Sequence, residues 1–318
     1  MRFESTDSAP TNRSGRVNRL FKRLAGPYRL VAVLTFNTLI LFVLVNLVCW
    51  ILLNHQRNNS WQRLIRLYGM PAVMTGYPTR SEAEVLVIHR ETWGRNLEYE
   101  PLTEFREPAS TGQYLNVSPQ GFRIHPGAAP WPPPKGVPIV FVFGGSTAFG
   151  YGVADTETIP ARLQARLDQS GRHAVVYNFG RGSYSLNQER ILFEKLIVAN
   201  HHPQIAVFID GINEGYYSTD HTAISADLSL AVARKNGKCE GTAMIESLPV
   251  NKLFAFGKPD NELAKLQMQH IESQGERPSP EKYLTIIRDR YEANRRLVSS
   301  IASEFQVKPL FVWQPAPT

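Results

Sequence analysis

The chain has 318 residues, of which 43% are hydrophobic and 20% charged, and its formal net charge is +7. This is the composition of an ordinary globular protein, with room for one domain of about 200 residues plus an anchor. The positive charge would suggest nucleic-acid binding if it lay on one folded face. Much of it lies instead within residues 1–29, at Arg2, Arg13, Arg16, Arg19, Lys22, Arg23 and Arg29. We therefore expect a membrane, and no nucleic acid, as the partner of this basic tail.

Residues 30–53 contain no charged side chain. As a helix they would extend roughly 36 Å, which is enough to cross a hydrocarbon core of about 30 Å. The sequence predicts one transmembrane helix here, and the alternatives are a buried core helix or a signal peptide. Basic residues before the span favour a cytoplasmic N-terminus, so we expect a single-pass inner-membrane protein whose remaining residues are periplasmic or otherwise extracytoplasmic. Only one cysteine, Cys239, lies beyond this span, which excludes an internal disulfide there.

Residues 54–135 have mixed polarity and several turn signals, and they end in the proline-rich run 130–134. A helix or a central strand cannot continue through such a run. We interpret this stretch as a stalk and preface. Its segment 116–123 is expected to fold onto the domain that follows, residues 136–318.

The run 137–143, Val-Pro-Ile-Val-Phe-Val-Phe, is short, β-branched and aromatic, and it predicts a fully buried strand. Gly144 and Gly145 follow at once and allow a sharp turn into a helix, which would leave Ser146 at the carboxyl end of the strand. Ligands bind at that edge in open α/β sheets. Ser146 could be a nucleophile there, or it could merely cap a helix.

The remaining pattern alternates helix and strand, which predicts a parallel sheet with helices on both faces. Residues 215–278 break this rhythm and are interpreted as an insertion or lid over the site edge. The predicted elements are helices at 156–169, 187–200 and 279–304, and strands at 174–177, 204–209 and 308–313.

Three familiar glycine motifs do not fit the turn at Ser146. No lysine follows Gly150, as a phosphate-binding P-loop requires, and neither glycine turn completes Gly-x-Gly-x-x-Gly. The nucleophile elbow of α/β-hydrolases needs Gly-x-Ser-x-Gly, but Ala148 stands at its final position.

Three predicted strands end in polar turns, which are 144–146, 180–183 and 211–213. The carboxyl ends of parallel strands lie along one edge, so these turns can converge. Together they offer what acyl transfer needs. Ser146 would attack an ester carbonyl, and the oxyanion would be held by the Ser146 N–H, by the N–H of Gly182 or Ser183, and by the Asn213 amide.

With these turns the sequence resembles the SGNH (GDSL-like) hydrolases, through Gly144-Gly145-Ser146-Thr147, Asn178-Phe-Gly180-Arg-Gly182 and Gly211-Ile-Asn213. The resemblance covers about residues 138–318, and Gly121-Phe122-Arg123 and the strand ending at Trp313 look like bacterial membrane-anchored members. It implies a three-layer flavodoxin-like α/β fold with Ser146 as nucleophile and Asn213 as oxyanion donor, and no metal or cofactor. The glycine of the second block would fall on Ser183, from which a backbone N–H serves equally well.

The family's Asp-x-x-His, which supplies the general base, does not occur after Asn213. His221 and His270 are weak candidates that we interpret as surface histidines. Without a base a serine hydroxyl is a poor nucleophile at neutral pH. We expect the missing Asp and His beyond Thr318, and the alternative is a natural protein that has lost hydrolysis.

The sequence therefore predicts a membrane-anchored extracytoplasmic serine esterase that acts on an acyl or acetyl ester of a cell-envelope glycan or a lipid. Two alternatives remain open. One is an O-acetyltransferase of an exported polysaccharide, and the other is a non-catalytic envelope-binding protein.

Overall fold

The computed structural model describes residues 13–58, 62–216, 248–251 and 279–314. The chain divides into two units, which are Met1–His55 with Gly241–Lys258, and Gln56–Glu240 with Pro259–Thr318.

Most of what the structure describes in the first unit belongs to one long helix, α1, Arg13–Asn58. Its stretch Pro27–Leu53 is long and apolar enough to cross a membrane. Large apolar side chains along this stretch are exposed to solvent, as at Leu30, Leu39 and Leu47. A helix that is apolar on all sides without being buried suits a lipid surrounding.

The second unit is built on a seven-stranded mixed sheet in the order β3-β4-β5-β7-β6-β8-β9. A separate two-stranded hairpin, β1-β2, lies outside this sheet. The strands are β1 Glu98–Glu100, β2 Glu104–Arg106, β3 Ser110–Thr111, β4 Asn116–Val117, β5 Arg123–Ile124, β6 Ile139–Gly144, β7 Val175–Asn178, β8 Ile205–Asp210 and β9 Lys308–Trp313.

The four strands β7, β6, β8 and β9 pair in parallel, as the sequence predicted. Numbered along the chain their order is 2-1-3-4, which is the order of flavodoxin-like folds. Such sheets bind ligands between their first and third strands, where the chain reverses its direction of winding. That place is the boundary between β6 and β8.

Helices cover both faces of the sheet, so the chain forms a three-layer α/β sandwich. The helices of this unit are α2 Arg63–Tyr68, α3 Met70–Met74, α4 Glu82–Trp93, α5 Ser146–Phe149, α6 Ile159–Gln169, α7 Leu186–Val198, α8 Ile212–Tyr216 and α9 Pro280–Glu304. Of these, α6 lies on one face and α7 and α9 on the other. A short 3₁₀ turn, Asp155–Glu157, replaces the first residues of the helix predicted at 156–169. The helix predicted from 279 begins as expected, because the Ser279 side chain accepts a hydrogen bond from the Lys282 N–H.

Two apolar layers explain why β6 reads as an uninterrupted hydrophobic run. Phe141 and Phe143 belong to a core that includes residues of α7 and α9, whereas Val140 and Val142 pack with side chains of α6. Since successive side chains of a strand point to opposite faces, both faces of β6 must be apolar.

The stretch predicted as a stalk and preface contains α2–α4 and β1–β5. Its segment 116–123 does fold onto the domain, because Arg123 of β5 pairs antiparallel with Asn178 of β7. The short strands β3, β4 and β5 therefore extend the parallel sheet at its β7 edge and make it a mixed sheet.

Arg123 fastens this preface to the turn after β6. Its side chain is fully buried and its Nε donates to Asp155 Oδ1 over 2.7 Å. The two terminal nitrogens donate to backbone carbonyls, among them those of Phe149, Gly150 and Val153. A buried guanidinium is tolerated only when its donors are satisfied in this way.

We predict that Arg123→Met destabilises the protein by about 3–5 kcal/mol, because it leaves Asp155 as a buried charge without its partner. Chemical unfolding followed by circular dichroism measures this loss. The matched control is Arg288→Met, at a side chain that is 68% exposed and pairs with Asp289. A loss for Arg123→Met no larger than that of the control would contradict the role of this side chain as an anchor.

Candidate active site

The turns that follow β6, β7 and β8 meet at the carboxyl edge of the sheet. Gly144 of β6 pairs with Ile209 of β8, and Val142 pairs with Asn178 of β7. The three strands therefore end at nearly the same level. A narrow pocket at this edge is lined by Gly145-Ser146-Thr147, Tyr184, the segment 209–214 and Gln314.

Ser146 is the first residue of α5 and lies directly after the Gly144-Gly145 turn. Its side chain is half-buried and lines the pocket. Its backbone carbonyl accepts hydrogen bonds from Gly150 and Tyr151 over 2.9 and 3.0 Å, which closes α5 after one turn. The structure thus places the predicted serine on a tight, well-bonded turn with its side chain in the pocket.

Asn213, at the start of α8, reaches across to the serine turn. Its Nδ2 donates to the Tyr184 carbonyl over 2.7 Å. A Cβ added to Gly145 would lie 2.4 Å from the same nitrogen. Gly145 is therefore required here by the close approach of the Asn213 amide, and the sequence-predicted pair Ser146 and Asn213 shares one pocket.

The turn after β7 offers the two N–H groups predicted as oxyanion donors, those of Gly182 and Ser183, and they differ in their hydrogen bonds. The Gly182 N–H donates to Glu107 Oε1 over 3.1 Å, so it is already engaged by the preface. No described residue accepts a hydrogen bond from the Ser183 N–H. Ser183 has φ 63°, in the left-handed region that glycine adopts more readily than other residues.

Two residues of the motif Asn178-Phe-Gly180-Arg-Gly182 hold the turn after β7 against the turn after β6. The Asn178 side chain donates to the Ala148 and Phe149 carbonyls over 3.0 and 3.3 Å. The Arg181 N–H donates to the Gly144 carbonyl over 2.8 Å. The asparagine of this motif is thus a structural tie between β7 and α5.

No histidine lines the Ser146 pocket among the residues that the structure describes. The buried His125 contacts the Val176 and Pro126 carbonyls, and His89 contacts Tyr77. His221 and His270 lie outside the described residues. In the same described part of the chain, no cluster of three or more His, Cys, Asp or Glu residues is arranged to hold a metal ion.

An apolar cavity of about 480 Å³ adjoins the serine pocket. The two share Gly211, Ile212 and Gln314. The other walls of the cavity are described side chains of α9 and β9, with Gly215 of α8. They are Tyr283, Leu284, Ile287 and Trp313.

Sequence reasoning missed the carboxyl groups around the site. Glu107 receives the Gly182 N–H, the Tyr151 hydroxyl and the Arg95 guanidinium. Asp210 and Glu214 flank the predicted Asn213, and both line the pocket. The only signal for these two in the sequence was an acidic residue on each side of a turn that follows an apolar strand.

No protein-family model matches the sequence, and neither does any curated protein. Among solved structures, the chain is similar to AlinE4, described as a SGNH-hydrolase family esterase, with 17% identity, a TM-score of 0.27 and coverage of 56% of this chain and 77% of that one. A lipolytic protein of the G-D-S-L family from Desulfitobacterium hafniense has 18% identity, a TM-score of 0.21 and coverage of 54% and 76%. The acetyl xylan esterase AlAXEase has 15% identity, a TM-score of 0.24 and coverage of 55% and 77%. Similarities this low carry no weight for the activity of this chain, which has to be argued from its own residues.

We predict that Gly145→Ala breaks the hydrogen bond from Asn213 to Tyr184, because the new methyl group would lie only 2.4 Å from the amide nitrogen and force it to move. Overpacking of this kind costs about 1–3 kcal/mol. Thermal unfolding measures the loss of stability, and a crystal structure of the variant shows where Asn213 lies. Gly76→Ala is the control, since a Cβ there meets nothing closer than 3.5 Å. An unmoved Asn213 in the Gly145→Ala structure would contradict this account of the glycine.

Proposed function

We propose that this protein is a serine esterase whose nucleophile is Ser146. The observation that carries the proposal is the meeting of Ser146 and the Asn213 amide in one pocket at the boundary between β6 and β8. A serine hydroxyl beside a fixed amide donor is the arrangement that nucleophilic acyl transfer requires. The motif resemblance to SGNH hydrolases supports the same assignment.

Three donors would hold the oxyanion of the tetrahedral intermediate. They are the N–H of Ser146, the N–H of Ser183 and the side-chain amide of Asn213. A primary amide carries two N–H bonds, and in Asn213 one of them is used on the Tyr184 carbonyl. The second is available to the substrate, while the first fixes the orientation of the group. We prefer Ser183 to Gly182 because the Gly182 N–H is bonded to Glu107.

Ser146 would attack the ester carbonyl and lose its proton as the bond forms. The ester C–O bond would then break, the alcohol would leave with a proton, and water would hydrolyse the acyl-enzyme to the free acid and Ser146. The proton acceptor is assigned to no described residue, since none of the described pocket side chains is a histidine.

The proposed substrate is an acyl or acetyl ester of a cell-envelope glycan or a lipid. The apolar cavity beside the serine pocket favours an acyl chain longer than acetyl, because its walls are mainly the apolar side chains of Tyr283, Leu284, Ile287 and Trp313. An O-acetyltransferase of an exported polysaccharide would use the same nucleophile. Transfer of acetyl to a supplied glycan rather than to water would favour that second function.

We predict that the protein hydrolyses small acyl esters and that Ser146→Ala abolishes this activity. Asn213→Ala should lower kcat by roughly 10²- to 10³-fold, since it removes one oxyanion donor. Initial rates on chromogenic esters of increasing acyl length measure both effects. The control is Asn187→Ala, at an exposed residue of α7. Full activity in Ser146→Ala would exclude the mechanism, and no activity in the wild type on any ester or glycan acceptor would favour a binding protein.

We also propose that α1 anchors the protein in the inner membrane, with the second unit on the extracytoplasmic side. The apolar, exposed surface of Pro27–Leu53 and the basic residues before it support this placement. In intact spheroplasts, external protease should then degrade the second unit and leave the N-terminal tail protected. Recovery of the whole protein in the soluble fraction would contradict the anchor.

A further inference from the structure

Three buried carboxyl groups lie behind the Asn213 turn. Asp210 ends β8, Glu214 lies in α8, and Glu189 faces them from α7. Their exposed fractions are 4%, 2% and 1%. This is an unusual place for acidic side chains, because ionised carboxylates are almost never buried without a positive partner.

Hydrogen-bond donors reach only part of this cluster. Among the described residues, nothing donates to either oxygen of Glu189 or to Oδ1 of Asp210. Tyr291 donates weakly, over 3.4 Å, to Asp210 Oδ2. Glu214 is better served, since its Oε1 accepts the Leu186 N–H at the start of α7 over 2.6 Å. Burial raises the pKa of Glu214 as well, but the Leu186 N–H and the charge of Arg290 oppose this, so Glu214 is the member of the cluster best suited to carry a charge.

Glu189 stands three residues after Leu186 on α7, and the Leu186 N–H donates to Glu214, so the carboxyl group of Glu189 comes within reach of a hydrogen bond with Asp210. Such a bond exists only when one of the two carries a proton, since two carboxylates are both acceptors. A shared proton would satisfy the orphaned oxygens and relieve the repulsion between like charges.

The electrostatic surroundings agree with a retained proton. Burial, and next the negative charge of Glu214, raise the pKa of Asp210 to about 8. Burial, followed by the charges of Asp210 and Glu214, raises the pKa of Glu189 well above its ordinary value. From α9, Arg290 and Tyr291 face the cluster, and Arg295 lies beside the Tyr291 ring. None of these three makes an ion pair with Glu189 or Asp210 in the described part of the chain.

The cluster is connected to Asn213 on both sides. Asp210 stands three residues before Asn213, and Glu214 directly follows it. Asn213 donates to the Tyr184 carbonyl, and Glu214 accepts the N–H of Leu186, two residues further along the same segment. A change of charge within the cluster would therefore act on the turn that carries the amide.

We propose that Glu189 and Asp210 share a proton, and that this proton, together with the charge of Glu214, positions the Asn213 amide at the serine pocket. Glu189 is then a positioning residue that touches no substrate. The catalytic consequence rests on the proposed esterase function, whereas the shared proton itself does not.

Infrared spectroscopy of the complete protein at about pH 7 tests the shared proton without any assay of activity, since ordinary carboxyl groups are ionised there. We expect a carbonyl band from a protonated carboxyl group that is lost in Glu189→Gln and retained in Glu194→Gln. Glu194 is the matched control because it lies on α7 and its side chain is 35% exposed. Asp210→Asn, which should also lose the band, serves if Glu189→Gln fails to fold. No such band in the wild type, or a band that survives in both cluster variants, would overturn the proposal.

The pH dependence of stability is a second readout. Glu189 and Asp210 have higher pKa values in the folded state than in the unfolded state. Their contribution to stability is therefore complete below about pH 4, and it is lost as the pH rises through their folded-state pKa values toward about 8. Glu189→Gln removes one of these groups, and its amide can still donate to Asp210. We expect its Tm relative to the wild type to increase from about pH 5 to about pH 9, whereas Glu194→Gln gives a flat difference. A flat difference for Glu189→Gln would contradict the proposal.

If the esterase activity is present, kcat of the wild type should fall as the pH rises through about 8, and this fall should be weakened in Glu189→Gln. An unchanged pH profile beside a confirmed infrared band would overturn the positioning role. If no ester is hydrolysed, the infrared and Tm results still decide the shared proton.

Discussion

The site depends on the parallel pairing of β6 between β7 and β8. The pairs Gly144 with Ile209 and Val142 with Asn178 bring three strand ends to one level. The turns that follow are then forced together, although 67 positions separate Ser146 from Asn213 in the sequence. Neither face of β6 can be polar, because helices cover both, and this is why its apolar run is continuous. The chemistry of the site is a consequence of this register.

Residues of the preface also hold the turns after β6 and β7 in place. Arg123 with Asp155 fixes the loop after α5, and Glu107 takes the Gly182 N–H. Arg181 is buried and pairs with Glu100 of the β1-β2 hairpin. The residues before the parallel strands therefore form part of the folded domain, and they leave the Ser183 N–H as the available donor of the second turn.

Much of the fold was readable from the sequence because strand ends and helix starts are marked locally. The strand 308–313 was predicted with its observed bounds, and Ser279 caps α9 as expected. The serine turn was recognisable from glycines next to an apolar strand. The engagement of the Gly182 N–H was not, since its acceptor Glu107 lies 75 residues away in the chain.

Buried charges were the part of the structure that the sequence could not predict. Arg123, Asp155, Glu189 and Asp210 look like ordinary surface residues in a sequence that is 20% charged. Their burial is decided by tertiary contacts that no local pattern records. In Asp210-Gly-Ile-Asn-Glu214 the asparagine stands out through its motif, whereas nothing in the sequence marks that the flanking acids are buried together with Glu189 of α7.

The most direct test of Ser146 as the nucleophile is covalent labelling with a fluorophosphonate, followed by mass spectrometry of the digested protein. This measurement needs no knowledge of the natural ester. If Ser146 and its oxyanion donors form an acyl-transfer site, the label should be found on Ser146, and its rate of attachment should fall in Asn213→Ala. Labelling of another serine with Ser146 unmodified, or an equal rate in Asn213→Ala, would contradict the account.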